Sequence, residues 1–482
     1  MPATTGGGGR IVPALSVWAL RAATLVAGES LVVVVAWAVA TIASRPYFGE
    51  GEALFEASRI RAGLPLYFDA VAGAFDYGSL PSHYYVLYTP LWPALLSPLP
   101  AGYALTIARA VTTAAWLGTL GLFVAMAPRG ERRPAALLAA YFAGTYNLAI
   151  FATSARHDML GVALAGLGLA RSMRRGRVDA LAGALFALGA WVKPSVLGMA
   201  AGALLAQLVM SPQALAAGLS GALAVSGACA LALTRASHGT WFDHLVRSTA
   251  QPLTLGNWLA AIQKDLVWFG LPVALAAGVG LRTRRSDARL ALGALCVSTA
   301  WALFLAAKTG RGTNYWLEPC VAAVATLAAA SWPAPTSALW PVAAGVALFQ
   351  SVWVGVASNR SVFDALDRSR AHRRIMDTAR AVCLPRGGLV LSNDTGDELD
   401  LDGRILTPAY QFSHLVRAGK VPVDVLLTEV EHPDARCYLE HSWTELRAIP
   451  AVAAALERDY ELRETQSEWN LFVRRSAPPP VE

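Results

Sequence analysis

Charge is what this chain has least of. Only 15% of its 482 residues are Asp, Glu, Lys or Arg, against about a quarter in an ordinary soluble domain. With 55% hydrophobic residues and a mean hydropathy of +0.43, that scarcity excludes a soluble enzyme and points to a polytopic membrane protein. The net charge is +7, yet the basic residues form no single broad face of the kind phosphate tracking needs, so nucleic acid is excluded as a partner. A convincing internal repeat is missing, which removes one mark of a transporter. No dense metal-ligand motif is present, and no convincing cleavage site follows the first apolar run, so residues 14 to 43 read as a retained anchor running from the cytoplasm outward.

What is there is a series of apolar runs, each near the ~20 residues that a helix needs to cross a bilayer. After the first, they lie near 103 to 127, 134 to 152, 157 to 170, 178 to 192, 194 to 210, 213 to 234, 266 to 281, 288 to 307, 314 to 332 and 336 to 357. The run from His83 to Pro100 is interrupted by Pro90, Pro93 and Pro98; each proline removes a backbone donor, so this piece reads as interfacial or re-entrant. About eleven crossings result. Arginine clusters at Arg129-Gly-Glu-Arg-Arg133, Arg171-Ser-Met-Arg-Arg-Gly-Arg177 and Arg282-Thr-Arg-Arg-Ser-Asp-Ala-Arg289 then all fall inside, as the positive-inside rule requires. The expected organisation is a transmembrane domain over residues 1 to 357, with a first external loop at about 45 to 102, and a small soluble α/β domain over 358 to 482 on the extracytoplasmic side of a plasma (inner) membrane.

In that second domain, 388 to 393, 421 to 428 and 469 to 474 read as strands and 443 to 457 as a helix. The acidic run 394 to 402 reads as a solvated loop. Cys383 and Cys437 both fall here; an oxidising compartment would allow them a disulfide, and sequence alone leaves open whether their α-carbons come within bonding range. Cys229, Cys296 and Cys320 fall in expected spans as ordinary packing.

Ionisable residues gather at the outward ends of the spans. The first loop offers Glu50, Glu52, Glu56, Asp69, Asp76 and His83; the third span ends at Arg156-His-Asp158, the fifth at Lys193-Pro194, the ninth at Lys308-Thr-Gly-Arg-Gly-Thr-Asn-Tyr-Trp-Leu-Glu318. Charges near membrane depth face a cavity or a partner. The bland alternative is ordinary interfacial charge, with Lys193 snorkelling and Tyr84, Tyr85, Tyr88 and Trp92 forming an aromatic belt. A carboxylate in a partly desolvated pocket can act as a general base, and nearby Lys, Arg and His can hold a phosphate. This mixture suits group transfer from a lipid phosphate whose tail stays in the bilayer, and it calls for Glu50, Glu52, Asp158 and Lys193 to open onto one shared pocket.

These residues resemble the GT-C membrane glycosyltransferases, which include protein O-mannosyltransferases and bacterial aminoarabinose transferases. Gly49-Glu-Gly-Glu-Ala-Leu-Phe-Glu-Ala-Ser-Arg-Ile-Arg-Ala-Gly-Leu-Pro-Leu-Tyr-Phe-Asp69 is similar to their first external loop. Arg156-His-Asp158 is similar to their second external acid, Ala190-Trp-Val-Lys-Pro194 to a lysine closing a later span, and Gly310-Arg-Gly-Thr-Asn-Tyr-Trp-Leu-Glu318 to an Asn-Tyr element before a late helix. One departure stands out: the family's adjacent Asp-Glu pair reads Gly51-Glu52 here, with Glu50 just before it.

The resemblance implies an inverting transfer of a sugar from a polyprenyl-phosphate donor to a protein, lipid or glycan acceptor at the outer face. Glu50 or Glu52 would take the acceptor proton and Asp158 would orient the acceptor. Lys193, His157 and Arg311 would meet the departing phosphate, with Asn314, Tyr315, Glu318, Asp69 and Tyr88 as further binding residues. Metal use varies in the family; Glu50 and Asp158 are the oxygen ligands that would hold Mg²⁺ or Mn²⁺. A lipid-linked sugar transporter or flippase, and a noncatalytic scaffold or sensor, are the rival classes.

Overall fold

The computed structural model describes residues 11–46, 49–78, 80–129, 132–249, 252–308, 312–330, 339–385, 387–442 and 445–475. Six helices among the described residues are long and apolar enough to cross a bilayer: Leu15–Thr41, Ala101–Met126, Pro212–Ser237, Leu255–Gly280, Ser286–Leu305 and Pro341–Cys383. The pair Arg132–Ala143 and Tyr146–Ala152, bent by 77°, would make a seventh. The chain is a multi-pass membrane protein. The expectation of about eleven crossings also counted Ala180–Val192, Gly198–Met210 and Leu317–Ala329, which have 13 residues each. At a rise of 1.5 Å per residue such helices reach only about 20 Å, short of a ~30 Å hydrocarbon core. Apolar run length counts residues that are buried in protein along with those that face lipid.

Chain contacts divide the molecule into two compact units. The first comprises residues 1–42, 108–231 and 252–362 and is a helical bundle. Its centre is Leu317–Ala329, every residue of which is buried; a helix that is apolar on all sides belongs in a core. Small residues let its neighbours approach closely. At Gly202 a Cβ would stand 2.1 Å from the Gly293 carbonyl oxygen, so helices Gly198–Met210 and Ser286–Leu305 meet backbone to backbone. The 77° break at Gly144 follows the same logic, since a side chain there would come within 2.8 Å of the Leu31 amide nitrogen.

The second unit comprises residues 43–107, 232–251 and 363–482. Its sheet has the order β1-β2-β4-β3, with β1 at Leu389–Ser392, β2 at Ala435–His441, β3 at Tyr460–Gln466 and β4 at Trp469–Arg474. β1 and β2 are parallel; the β2–β4 and β3–β4 pairs are antiparallel. The expected strand over 421 to 428 is instead part of helix Asp424–Glu431, whose buried residues Val425, Leu426, Glu429 and Val430 recur at helical spacing. The expected helix over 443 to 457 begins later, at Pro450–Asp459, and β2 and β3 went unread because both mix charged residues into their apolar positions. The acidic run is no solvated loop: it forms helix Thr395–Asp402 with Asp397 and Glu398 buried.

The first loop belongs to this same unit. Ala70, Leu80 and Tyr85 share a core with Leu406, Phe412 and Tyr438, the His83 amide donates to the Leu406 carbonyl at 2.6 Å, and Arg404 donates to the Leu80 carbonyl at 3.0 Å. Tyr84, Tyr85 and Trp92 are at most 3% exposed, so they are protein core and not an interfacial belt. The division anticipated at residue 357 falls inside one continuous helix, Leu339–Cys383. That helix ends at Cys383, which is bonded to Cys437 of β2.

Cys383 and Cys437 are 54 residues apart, and a closed loop of that size restricts the unfolded chain. Replacing both with serine should lower the stability of the second unit by about 2–4 kcal/mol, read as a lower midpoint in thermal unfolding without loss of secondary structure at low temperature.

Candidate functional site

In the first unit the site is assembled at helix ends. Asp158 lies in the first turn of helix His157–Arg175 and Lys193 is the residue after helix Ala180–Val192. A carboxylate at a helix N-terminus and an ammonium at a helix C-terminus are each favoured by the backbone dipoles. Pro194 explains why the second helix stops there, since the residue before a proline is pushed to extended backbone, and Lys193 sits at φ −144°, ψ 108°.

The Lys193 ammonium donates to Asp158 Oδ1, and Asn314 Nδ2 donates to the same oxygen at 2.6 Å. Arg156 Nε donates to Oδ2 at 3.1 Å. Asp158 and Lys193 are each 2% exposed, so Lys193 does not snorkel. Asn314 belongs to the 3-10 turn Thr313–Trp316, which is anchored on one side by Thr313 donating to the Asn147 carbonyl at 2.5 Å and on the other by the Trp316 indole donating to Asp265 at 3.0 Å. His157 is buried beside Asp158, and Tyr315 lies within the electrostatic reach of Asp158. Lys308 adds to the positive field at Lys193. Two cations thus meet on one buried carboxylate, with Lys308 acting on Lys193 from nearby.

Glu318 has a different engagement. Its two oxygens accept from the backbone amides of Gly198 at 3.2 Å and Met199 at 3.0 Å, so it caps the N-terminus of Gly198–Met210. Arg311 lies outside the described residues. Arg156 was quoted in the motif but not expected at the site; its position two residues before Asp158, just ahead of a helix, was the available signal.

The first-loop acids belong to the second unit. Glu50 and Glu52 occupy the first turn of helix Glu50–Arg61, Glu50 buried and Glu52 half-buried. The departure from an adjacent acidic pair has a steric cause: a Cβ at Gly51 would stand 2.5 Å from the Thr395 carbonyl oxygen, so the residue before Glu52 must be glycine. Asp69 is exposed and accepts from the amides of Val71 and Ala72 at 2.9 and 3.1 Å, a turn-forming role that holds its carboxyl below the usual range. Tyr88 is half-buried in the extended stretch before helix Leu91–Leu96.

Glu56, one helical turn beyond Glu52, stands among the first-loop acids in the sequence but has no role assigned there. It is 1% exposed and accepts from the Tyr84 hydroxyl at 2.6 Å. Burial pushes its carboxyl up to about 8, with the Glu52 charge adding to the effect against the Tyr84 hydrogen bond. Spacing of four residues from Glu52 on an amphipathic helix was the sequence signal.

The metal expectation fits poorly. Among the described residues no group of three or more His, Cys, Asp and Glu side chains is arranged to hold an ion. Both Asp158 oxygens already accept from Lys193, Asn314 and Arg156, and a carboxylate neutralised by two cations is a weak ligand for a divalent ion. No step is assigned to a metal.

No protein-family model matches the sequence, and neither does any curated protein. Solved structures do. Over 94% of this chain and 98% of the other, it is similar to ArnT from Cupriavidus metallidurans bound to undecaprenyl phosphate, with a TM-score of 0.53 at 14% identity. The apo state of the same protein matches over 92% and 96% with a TM-score of 0.55 at 12% identity. This chain has the ArnT fold. The resemblance to GT-C membrane glycosyltransferases, read from short motifs, is thus matched in fold over nearly the whole length of both chains.

Two outcomes follow from the geometry. Lys193→Ala leaves the buried Asp158 carboxylate with Arg156 and Asn314 as hydrogen-bond partners and should cost about 1–3 kcal/mol, read as a lower unfolding midpoint in detergent. For Glu56, the folded carboxyl keeps its proton up to about 8 while the unfolded one releases it near 4.5. Its contribution to stability is therefore complete below about 4.5 and is lost as the pH rises toward about 8. Glu56→Gln should gain stability relative to the parent as pH increases across that window; a difference that stays constant with pH would contradict the assignment.

Proposed function

We propose that this protein is an inverting glycosyltransferase that moves a sugar from a polyprenyl-phosphate donor to an acceptor hydroxyl or amine at the outer face of a plasma (inner) membrane. The observation that carries the reading is the polar cluster in which Lys193 and Arg156 both pair with the buried Asp158, set in the ArnT fold. A lysine and an arginine gathered on one buried carboxylate suit a phosphate that gains charge as it leaves. That one neighbour was solved with undecaprenyl phosphate bound supports a polyprenyl lipid as donor.

In this reading the acceptor oxygen or nitrogen attacks the anomeric carbon from the face opposite the phosphate. The new bond to the anomeric carbon forms as its bond to the phosphate oxygen breaks, and the bonding pair leaves with the phosphate. Glu50 or Glu52 takes the acceptor proton. Lys193 and Arg156 receive the departing phosphate, with His157 and Arg311 as further contacts. Asp158 holds both cations in place, and Asn314 and Tyr315 complete its surroundings.

The topology draws support from two features. Arginine residues from separate loops, Arg174, Arg175 and Arg285, line one cavity, in keeping with a common cytoplasmic end. The Cys383–Cys437 bond favours an oxidising compartment, hence an extracytoplasmic position, for the C-terminal residues.

Sugar transfer from polyprenyl-phosphate donors is the decisive assay. Glu50→Gln, Glu52→Gln and Lys193→Met should be compared with the parent, and at least one glutamate variant together with Lys193→Met should lose a hundredfold or more in rate. A parent protein that moves the lipid-linked sugar across vesicles without transferring it would replace this reading with the flippase.

A further inference from the structure

The cavity lined by Arg174, Arg175 and Arg285 lies far from the candidate site. Helix His157–Arg175 carries Asp158 in its first turn and Arg174 and Arg175 in its last, so the two places are about 25 Å apart along the helix axis. The cavity, of about 740 Å³, opens where the ends of helices Ala101–Met126, His157–Arg175 and Leu317–Ala329 meet the start of Ser286–Leu305. It lies entirely within the first unit.

Its lining is divided in character. Half-buried Met126 and the edges of the buried Met173 and Ala329 provide an apolar side, and Arg174, Arg175 and Arg285 provide the charge. Asp287 also lines the cavity and pairs with Arg285 through two hydrogen bonds of 3.1 and 2.7 Å, which leaves the positive charge of Arg174 and Arg175 in excess. The loops are held against each other: Gly176, at φ +64°, turns the chain so closely that a Cβ would stand 3.0 Å from the Ser286 hydroxyl.

We propose that this cavity binds the headgroup of an anionic phospholipid. A phosphodiester would meet Arg174 and Arg175, and the start of its acyl chains would lie along Met126 and Met173. Anionic lipids are drawn to basic residues at the membrane surface, and pockets between helix ends accept their headgroups. A free anion would be met by the arginines alone and would have no use for the apolar side. The inference is independent of the transferase reading and of the side of the membrane that this end occupies.

The test uses the full-length protein and native mass spectrometry with phosphatidylglycerol and phosphatidylcholine in competition. The parent should retain phosphatidylglycerol preferentially. Arg174→Gln with Arg175→Gln should reduce that preference by roughly tenfold or more, from about 1 kcal/mol for each basic residue. Arg282→Gln with Arg284→Gln, which removes equal charge from the loop before helix Ser286–Leu305 without touching the lining, should keep the preference. Absence of any preference in the parent, or equal loss in both double variants, would overturn the proposal. Displacement of the lipid from the parent by inorganic phosphate at comparable concentration would also overturn it, because it would indicate a free-anion site; that arm needs no variant to fold.

Discussion

The buried carboxylate of Asp158 is the constraint around which the first unit is organised. A charge that is 2% exposed would cost many kcal/mol if left alone. It is met by a lysine at one helix end, an arginine just before another and an asparagine on a 3-10 turn. Satisfying it therefore fixes how three segments distant in sequence come together. Asp158 is also placed where a helix N-terminus favours an anion, and Lys193 where a helix C-terminus favours a cation, so backbone and side-chain electrostatics act in the same direction.

The first-loop acids are held by a different logic. Helix Glu50–Arg61 packs so tightly against the turn at Thr395 that only glycine fits between Glu50 and Glu52. Arg59, fully buried, donates to Asp76 at 2.6 Å and to the Pro65 carbonyl at 2.8 Å, while Glu56 and Tyr84 form a second buried polar pair. Such buried polar pairs favour one arrangement of the loop, although one Glu56 oxygen and one Arg59 nitrogen make no hydrogen bond. Glu56 is held protonated near neutral pH by burial, so the acid that follows Glu52 on the same face adds no fixed negative charge there.

Short helices are a consequence of building such sites inside a bundle. Gly198–Met210 starts where Glu318 can cap it, and Ala180–Val192 stops where Pro194 turns Lys193 out of helical conformation. Each break exposes backbone donors or acceptors that must be satisfied at membrane depth. Glu318 does this with both oxygens, accepting from the amides of Gly198 and Met199.

By itself the sequence determined the class of the protein, because hydropathy and the scarcity of charge depend only on composition, and it singled out Asp158 and Lys193, which the structure pairs, because polar residues at the ends of apolar runs have few acceptable environments. It also carried the ArnT-like resemblance through short motifs spread over the chain. Only the tertiary structure decided which apolar runs are full-length helices, since burial in protein and burial in lipid select the same residues. It alone assigned the first loop to the same compact unit as the C-terminal sheet, paired Cys383 with Cys437, and separated Arg156 from the other arginines as a partner of Asp158. Those outcomes rest on contacts between residues far apart in the chain, which local periodicity does not encode.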